Sequence, residues 1–585
     1  MPSQRRDHAR DLQALRTRPG DDQDAPGRWH LRHGFGSPGS VARVHPDARS
    51  HGLAHCIDLR VRWRWRQPGP ASLRLPRWAT GSAAEGCIRC DRAAGRTSAA
   101  IAPRTAGGAR QVDEPLSPRR PPTREPLLWL VAVAVFMQML DTTIVNTALP
   151  AMARSLGESP LRMQWVVIAY ALSVAVLIPA SGWLADRFGT RRVFIAAVAL
   201  FTLGSLACAL SHTLGQIVAA RVLQGIGGAM LLPVGRLAVL RTFPGADFLR
   251  AMSFVTVPGL VGPLVGPTLG GWLVEVASWH WIFLINLPIG ALGVVFAVRV
   301  MPDLHTPVHR FDLGGYGLLA FGMVALSLAL DGLSAGQRVG GVAILAVFGF
   351  AAVVAYWLHA ARDVDALFPL RLFGVASYRI GIIGNLFSRL GTSGMPFLIP
   401  LLLQVALGYG PTDAGLAMIP VALAGMAAKR VVVPLVGRLG YRRVLVGNTV
   451  LVGLAMASFA LIAPGQPTWL LVVQFAVFGA VNSLQFTAMN TITLRDLGGE
   501  LASAGNSLLS MTMMLGVGFG VAVAGGLLGA FAGLPGGTGA GSLAAFRWSF
   551  ACIGAMTLAS AAIFWQLPDA APAAREVDRE RIAAD

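Results

Sequence analysis

The sequence is poor in charged residues. Only 14% of its 585 residues are charged, while 54% are hydrophobic, and soluble domains have about a quarter of their residues charged. A chain with so little charge and many apolar runs of about 20 residues cannot fold around one soluble core. The composition therefore predicts a polytopic membrane protein.

Other absences exclude further classes of protein. No phosphate-binding loop is present, and no nucleophile or metal-ligand group falls in the apolar runs, which argues against an enzyme. The net charge of +19 could suggest nucleic-acid binding, but 23 of the 49 basic and 12 of the 30 acidic residues lie in residues 1–125. The remainder holds 26 basic against 18 acidic residues. No basic-aromatic binding module is recognisable, so no nucleic-acid partner is predicted.

Cysteine is scarce as well, with five in the chain. Cys208 and Cys552 lie in apolar segments and are expected to be packing residues. Cys87 and Cys90 form a pair with Cys56 and two histidines upstream, but a clean second ligand pair is lacking. A zinc site normally needs such a second pair, so no metal and no cofactor are predicted.

Residues 1–125 are rich in Arg, Pro, Gly and Ala and contain no apolar span, so they are not a secretory signal peptide. One interpretation is a disordered cytoplasmic extension. The other is a start assigned too early, because no Met occurs between Met1 and Met137; translation would then begin near Val112. The charged tail 567–585 is also predicted to be disordered.

Fourteen apolar segments follow, each near the 20 residues that a helix needs to cross the hydrocarbon core. The ninth and thirteenth are long and are expected to be tilted or broken. The predicted spans are 127–149, 164–184, 193–211, 215–238, 250–273, 281–300, 313–331, 339–359, 379–405, 413–435, 444–463, 468–491, 501–531 and 545–566.

A basic, glycine-punctuated loop occurs twice. The first copy is Gly182–Phe194, with sequence GWLADRFGTRRVF, and the second, VPLVGRLGYRRVL, follows 251 residues later at Val433–Leu445. The second copy has Gly437 where the first has Asp186. A repeated loop indicates a repeated half, and many secondary transporters consist of two related halves around a site near the membrane midplane.

Loop arginines predict the orientation. With the N-terminus inside, fifteen arginines fall in or beside the inner loops and four in the outer ones. Arginine and lysine are enriched in cytoplasmic loops, so both termini are predicted to be cytoplasmic. The four outer arginines are Arg154, Arg162, Arg338 and Arg547.

The domain organisation follows from the repeat. Residues 126–300 and 361–566 are predicted to be two six-helix halves, and 301–360 to be an inserted helix pair. Both faces of that pair are apolar except for Asp331 near one end, so a structural or lipid-facing role is expected.

Five motifs in order resemble the major facilitator superfamily, in its fourteen-span drug:proton antiporter branch, including multidrug permeases. The resemblance covers about residues 126–566. The motifs are LDTTIVNTALP at 140–150, the loop at 182–192, RVLQGIGGA at 221–229, GLVGPLVGPTLGG at 259–271 and WHWIFLINLP at 279–288. The resemblance implies an all-α major facilitator fold and proton-driven efflux of small molecules across the cytoplasmic membrane by alternating access.

The same resemblance implies roles for particular residues. Arg221 matches the fourth-span arginine implicated in proton coupling, and Asp141 is predicted to be its partner. An acidic residue at membrane depth costs ~2.5–3.5 kcal/mol on insertion scales, so it must be protonated, paired or hydrated; a packing role, bonded to Thr142 or Asn146, is the alternative. The expected gating loop comprises Gly182, Asp186, Arg187, Gly189, Arg191 and Arg192, which would pair across the halves in one conformation. The expected antiporter motif comprises Gly262, Pro263, Gly266, Pro267, Gly270 and Gly271.

The substrate is left open by the sequence. The second half holds basic residues in its spans but no acidic residue from 501 to 568, and a basic cavity favours anions or zwitterions over lipophilic cations. Two functions therefore stay open, multidrug efflux and export of an organic anion or amino-acid-like metabolite. Lys429 and Arg430 could instead reach the membrane interface. The candidate cavity residues are Asn146, Gln224, Asn385, Arg389, Lys429, Arg430 and Asn482.

Overall fold

The computed structural model describes residues 124–243, 246–305, 310–334, 339–363, 366–533 and 542–568. The predicted extension, the possible start at Val112, the cysteine pair at 87–90 and the end of the tail lie outside these ranges. The α-helices of the described residues are α1 (Arg124–Leu156), α2 (Gln164–Phe188), α3 (Thr190–Ala209), α4 (Leu214–Thr242), α5 (Ala246–Val276), α6 (Trp281–Leu284), α7 (Asn286–Val300), α8 (Leu313–Ser334), α9 (Val339–Ala360), α10 (Arg371–Gly374), α11 (Ala376–Thr392), α12 (Met395–Leu401), α13 (Pro411–Ala417), α14 (Ile419–Leu439), α15 (Tyr441–Ser458), α16 (Thr468–Arg495), α17 (Gly499–Ala532) and α18 (Leu543–Phe564).

These helices form fourteen segments that are long and apolar enough to cross a membrane, counted over the described residues. The prediction of fourteen spans and of an all-α fold is confirmed. The sixth crossing is α6 with α7, the ninth is α11 with α12, and the tenth is α13 with α14. The ninth is broken at 393–394 and ends in a π-helical turn, Leu402–Ala406. The thirteenth, α17, is one continuous helix.

The two copies of the repeated loop have the same conformation. Gly189 links α2 to α3 with φ 87° and ψ 144°, and Gly440 links α14 to α15 with φ 78° and ψ 160°. A positive φ of this kind is accessible to glycine at little cost and disfavoured for residues with a Cβ. We call the end of the bundle that carries these two glycines the loop end and the opposite end the far end.

The two halves share one apolar core at the far end. Leu149 and Met152 of α1 belong to the same buried cluster as Phe397 of α12 and Phe459 and Phe550 of the second half. A second buried cluster lies largely within the first half, between α1, α2, α3 and α4. Burial of apolar side chains from both halves stabilises their contact at the far end.

The inserted pair packs on the seam between the halves. Helices α8 and α9 lie against each other, with Gly349 in close contact with Leu326. Helix α8 also contacts α2 of the first half and α17 of the second. Much of α9 is exposed, including Phe348 and Phe350. A lipid-facing role therefore suits α9, while α8 is part of the packed bundle.

Candidate functional site

Asp141 lies in a fully buried polar cluster inside the first half. Arg221 Nη1 donates to its Oδ2 at 2.7 Å. Gln224 Nε2 and Asn286 Nδ2 donate to its Oδ1 at 2.8 and 3.3 Å. All four side chains are at most 1% exposed. Helices α1, α4 and α7 thus place one carboxylate among three donors, and the two residues predicted to form a pair are in contact.

The alternative partners of Asp141 bond elsewhere. Thr142 donates to the carbonyl of Met139 at 2.8 Å, and Asn146 donates to the carbonyl of Thr142 at 3.2 Å. Both side chains therefore donate hydrogen bonds to the backbone of α1. Asp141 is not held by its own helix but by α4 and α7.

Arg221 has partners besides Asp141. Its Nε donates to the Val166 carbonyl of α2 at 3.0 Å, and its Nη1 also donates to Gln224 Oε1 at 2.6 Å. Its guanidinium carbon lies 4.3 Å from the centre of the Tyr170 ring, which is a cation–π contact. A buried arginine stays charged and needs such acceptors. The cluster is an ion pair whose cation is held from several sides.

Close packing of α3 on α4 builds the remaining part of the cluster. A Cβ on Gly204 would lie 2.6 Å from the Gln224 backbone, so the glycine lets the two helices touch. This contact brings Ser205 within 2.8 Å of Gln224 Nε2 and 3.0 Å of Asn286 Nδ2. Sequence reasoning missed Ser205 and Asn286. Asn286 lies in the 279–288 motif, but nothing in the sequence singles out Ser205.

A cavity of about 240 Å³ lies between the two halves. Its walls come from α1 and α2 on one side and from α11, α12, α16 and α17 on the other. Three of the predicted cavity residues line it, namely Asn146, Arg389 and Asn482, and the α1 residues Thr142 and Thr143 that follow Asp141 line it too. Thr142 and Thr143 follow Asp141 directly on α1, so one helix contributes to both the ion pair and the cavity wall.

Arg389 is the charged side chain of this cavity lining. It is 9% exposed, its Nε donates to Asn385 Oδ1 at 3.3 Å, and its guanidinium carbon lies 4.9 Å from the centre of the Phe486 ring. Its buried Nη2 has no hydrogen-bond partner among the described residues. A buried donor without an acceptor is costly, so this N–H group is suited to donate a hydrogen bond to a ligand.

The other predicted cavity residues lie elsewhere. Gln224 is in the Asp141 cluster, and Asn385 lies beneath Arg389 as its acceptor. Lys429 is half-buried and Arg430 is exposed on α14, and neither lines the 240 Å³ cavity. That these two residues reach the membrane interface stays a prediction.

The loop at 182–192 makes its contacts within the first half and with the segment that leads to α8. Arg241 Nη2 of α4 donates to Asp186 Oδ1 at 2.6 Å. Arg191 Nε donates to the Met301 carbonyl and Thr190 Oγ1 to the Pro302 carbonyl, both at 2.6 Å. Among the described residues, this loop makes no hydrogen bond or ion pair across the halves in this conformation, and such pairing stays a prediction for another one.

The remaining residues of this loop are placed as follows. The Arg187 guanidinium lies over the Trp183 ring at 5.4 Å. Gly189 is enclosed by the side chains of Asp303 and His305. Gly182 and Arg192 are exposed.

The glycines of the predicted antiporter motif form the contact between α5 and α1. Gly262 faces the backbone of Leu140, while Gly266 and Gly270 face the hydroxyls of Thr143 and Thr147. Small residues spaced by four let two helix backbones approach closely. Pro263 and Pro267 lie within the same stretch of α5.

Gly271 faces the other way, towards the second half. It packs on the Pro411 carbonyl of α13, and Gly415 of α13 packs on the Pro267 carbonyl. Nearby, Thr268 Oγ1 donates to the Gly415 carbonyl at 3.3 Å. Gln404 Nε2 donates to the Thr147 carbonyl at 2.9 Å.

These contacts all lie at the far end. The peptide N–H of Thr412 adds a bond to Glu275 Oε2 at 3.3 Å. The three hydrogen bonds seen between the halves, within the described residues, are thus at the far end. The far end is closed in this structure.

One group of side chains could hold a metal ion within the described residues, namely Asp312, His359 and Asp363. It lies at the loop end of the inserted pair. Asp312 already accepts from the peptide N–H groups of Gly315 and Leu367, at 2.7 and 3.2 Å, and contacts His359 Nε2 at 2.8 Å. Burial acts to raise the pKa of Asp312, but these hydrogen bonds outweigh it and lower the pKa. We interpret the group as a helix cap and inter-helix contact.

Comparison with known proteins agrees with this architecture. The profile described as Major Facilitator Superfamily matches residues 131–521 and 381–584. The chain is 52% identical over 451 residues to a protein of Cronobacter sakazakii named multidrug resistance protein MdtD, covering 76% of this chain and 94% of that one. It is 54% identical over 409 residues to the MdtD of Pectobacterium atrosepticum, covering 69% and 87%.

Solved structures support the fold. A D-xylose–proton symporter matches with a TM-score of 0.55 at 14% identity, covering 76% of this chain and 98% of that one. A POT family transporter in complex with a thioalcohol-conjugated peptide matches with a TM-score of 0.56 at 16% identity, covering 74% and 94%. With the profile match over most of the chain and relatives above half identity, this protein belongs to the major facilitator superfamily.

Proposed function

We propose that this protein exports small molecules across the bacterial cytoplasmic membrane in exchange for protons, by alternating access between its two halves. The observation that carries the proposal is the buried pair of Asp141 and Arg221 beside a cavity between the halves. Both termini are cytoplasmic in this proposal, because the loop end carries most of the loop arginines. The far end then faces outward, and the structure corresponds to the form closed to the outside.

Protonation of Asp141 is the proposed coupling step. A proton on the carboxylate cancels its attraction to Arg221, and the arginine keeps its contacts with Val166, Gln224 and Tyr170. The Gln224 side chain can reorient when the charge changes, because its amide contacts both Arg221 and Asp141. Since Asp141 lies directly before Thr142 and Thr143 of the cavity wall, the proton and the substrate can influence one helix, α1.

Multidrug-type export is the first choice of substrate class, because the relatives above half identity are named multidrug resistance proteins. The test is transport into proteoliposomes that are acidic inside, which drives substrate inward if protons leave in exchange. We expect uptake that depends on the pH gradient and stops when an ionophore collapses it. Uptake at the same rate without the gradient would contradict proton coupling. No enzymatic step and no bound cofactor are required.

A second substrate class is favoured by one observation. Arg389 carries a buried Nη2 without a partner, and the cavity lining contains no acidic residue. A lipophilic cation would meet this arginine without a compensating carboxylate, whereas an organic anion would supply the missing acceptor. Export of an organic anion or an amino-acid-like metabolite is therefore the alternative proposal.

The two substrate classes predict opposite effects of Arg389→Gln. Hydrogen bonds to charged groups contribute ~1.5–3 kcal/mol, so the KM for a tricarboxylate should rise about ten- to a hundredfold if anions are the substrates. Uptake of a cationic dye should be unchanged or improved. Arg389→Lys, which keeps the charge, is the matched control and should retain part of the anion uptake. Unchanged tricarboxylate kinetics in Arg389→Gln would remove the anion proposal.

A further inference from the structure

Asp331 is a buried carboxylate that the mechanism above does not use. It lies in the last turns of α8, at the far end of the inserted pair, and is 3% exposed. Gln164 Nε2, from the first residue of α2, donates to its Oδ1 at 2.7 Å. The indole of Trp165 is a second neutral donor beside it. No arginine, lysine or histidine forms an ion pair with Asp331 among the residues that the structure describes.

Gln164 connects Asp331 to both halves. The side-chain oxygen of Gln164 packs directly on Gly525 of α17, where a Cβ would overlap it. Helices α2, α8 and α17 therefore meet at this one amide, which is 7% exposed. Because α2 and α17 belong to different halves, the junction can stay closed only while the far end is closed.

Within the described ranges, the charged groups of the surrounding elements do not form an ion pair with Asp331. At this end of the bundle, Arg162 pairs with Glu158 at 2.6 Å, and Arg154 is exposed. Helix α17 has no titratable side chain from 501 to 532. The other titratable groups of α8, α9 and α2, together with Asp312 directly before α8, lie towards the loop end or mid-helix. They are Asp312, Tyr316, Tyr356, His359, Tyr170, Asp186 and Arg187.

An ionised carboxylate would be expensive at this junction. It would lose its hydration when the far end closes and receive only neutral donors in exchange. A protonated carboxyl would lose far less hydration free energy when the far end closes. When the far end opens, α2 and α17 separate and water can reach Asp331, so the ionised form becomes acceptable. Closure of the far end and binding of a proton are therefore linked.

We propose that Asp331 is a second proton-binding site, through which the inserted helix pair permits the far end to close only after a proton has been taken up from the outside. This inference rests on the proposed function, because it assigns the site to an exporter driven by protons. It also gives the inserted pair a task beyond packing against lipid.

The test measures opening of the far end as a function of pH. Spin labels are attached at S159C and T468C, two exposed far-end positions on opposite halves, in the full chain with its five native cysteines replaced. The distance between the labels is measured in lipid nanodiscs over a range of pH. In the otherwise unmodified chain, the open fraction should fall as the pH falls.

Asp331→Asn should keep the far end closed at alkaline pH, because asparagine accepts the Gln164 bond but cannot ionise. One linked proton changes the open-to-closed ratio by up to about tenfold per pH unit. The open-to-closed ratio of Asp331→Asn should therefore fall below that of the parent chain by up to about tenfold for each pH unit above the midpoint. Asp312→Asn, which changes the buried carboxylate at the other end of α8, should open normally. Gln164→Leu, which leaves Asp331 able to ionise, should keep a pH-dependent transition with a displaced midpoint.

The outcomes are distinct. Opening of Asp331→Asn with the same pH profile as the parent chain would overturn the role of Asp331 and leave proton-coupled export untouched. Opening of the parent chain that does not depend on pH would also overturn the role of Asp331. Failure of the proposed function would appear elsewhere, as uptake by the unmodified protein that ignores a pH gradient.

Discussion

Asp141→Asn is expected to abolish uptake driven by a pH gradient. The substitution removes the carboxylate that is the proposed proton carrier of the cluster, while Arg221 stays charged when buried. It also leaves Arg221 as a buried cation without its anion, and breaking a buried pair in this way costs ~3–5 kcal/mol. We therefore expect both loss of gradient-driven accumulation in proteoliposomes and a lower melting temperature in detergent.

A second variant separates the loss of coupling from the loss of stability. Asp141→Asn combined with Arg221→Gln removes both charges, so the stability cost of an unpaired cation disappears. This double variant should fold better than Asp141→Asn and still ignore the pH gradient. Asp312→Asn is the matched control and should transport normally. Gradient-driven accumulation at the normal level in either Asp141 variant would refute the coupling role.

Gly271→Ala is expected to slow transport strongly by disfavouring closure of the far end. A Cβ at this position would overlap the Pro411 carbonyl across the interface between the halves. The opposing atom is backbone and cannot rotate away. Overpacking of this kind costs ~1–3 kcal/mol, which shifts the ratio of closed to open forms by roughly five- to 150-fold. Uptake should fall by a similar factor.

The control for this prediction is Gly518→Ala. Gly518 lies within α17, and a Cβ there would meet nothing within 4 Å, so transport and stability should change little. Spin-label distances across the far end should show Gly271→Ala mainly open and Gly518→Ala like the parent chain. A Gly271→Ala protein that closes normally would mean that this glycine contact does not form the gate.

The fold was accessible from the sequence because a membrane restricts the choices. Backbone groups in hydrocarbon must be satisfied within helices, so apolar length alone locates the fourteen crossings. The repeated motif also predicts where α2 meets α3 and where α14 meets α15. It does not predict the length of the links, because the segment expected as a loop between 184 and 193 is helical except for Gly189, and the one between 435 and 444 is helical except for Gly440. The length of the ninth crossing predicts either a tilt or a break, and the pattern does not distinguish the two. Helix α17 stays continuous although rich in glycine, because Gly516 and Gly520 pack closely on Arg389 of α11.

The site was accessible only in part. Asp141 and Arg221 each attract notice as a charge inside an apolar helix, but their contact joins residues 80 positions apart. Ser205 is one small polar residue among many, and only the packing of Gly204 on α4 brings it to Gln224. Lys429 was a reasonable cavity candidate by composition. Its place outside the cavity depends on the rotation of α14, which sequence pattern does not determine.

The central claim is that protons and substrate move in opposite directions through one conformational cycle. The most direct measurement is proton movement in proteoliposomes that contain a pH-sensitive dye, after a gradient of a cationic dye or a tricarboxylate is imposed without any pH gradient. The account predicts that the probe that is transported drives protons the opposite way, and that Asp141→Asn with Arg221→Gln abolishes this proton movement. Probe transport by the unmodified protein without proton movement would contradict the account, as would equal proton movement in the double variant.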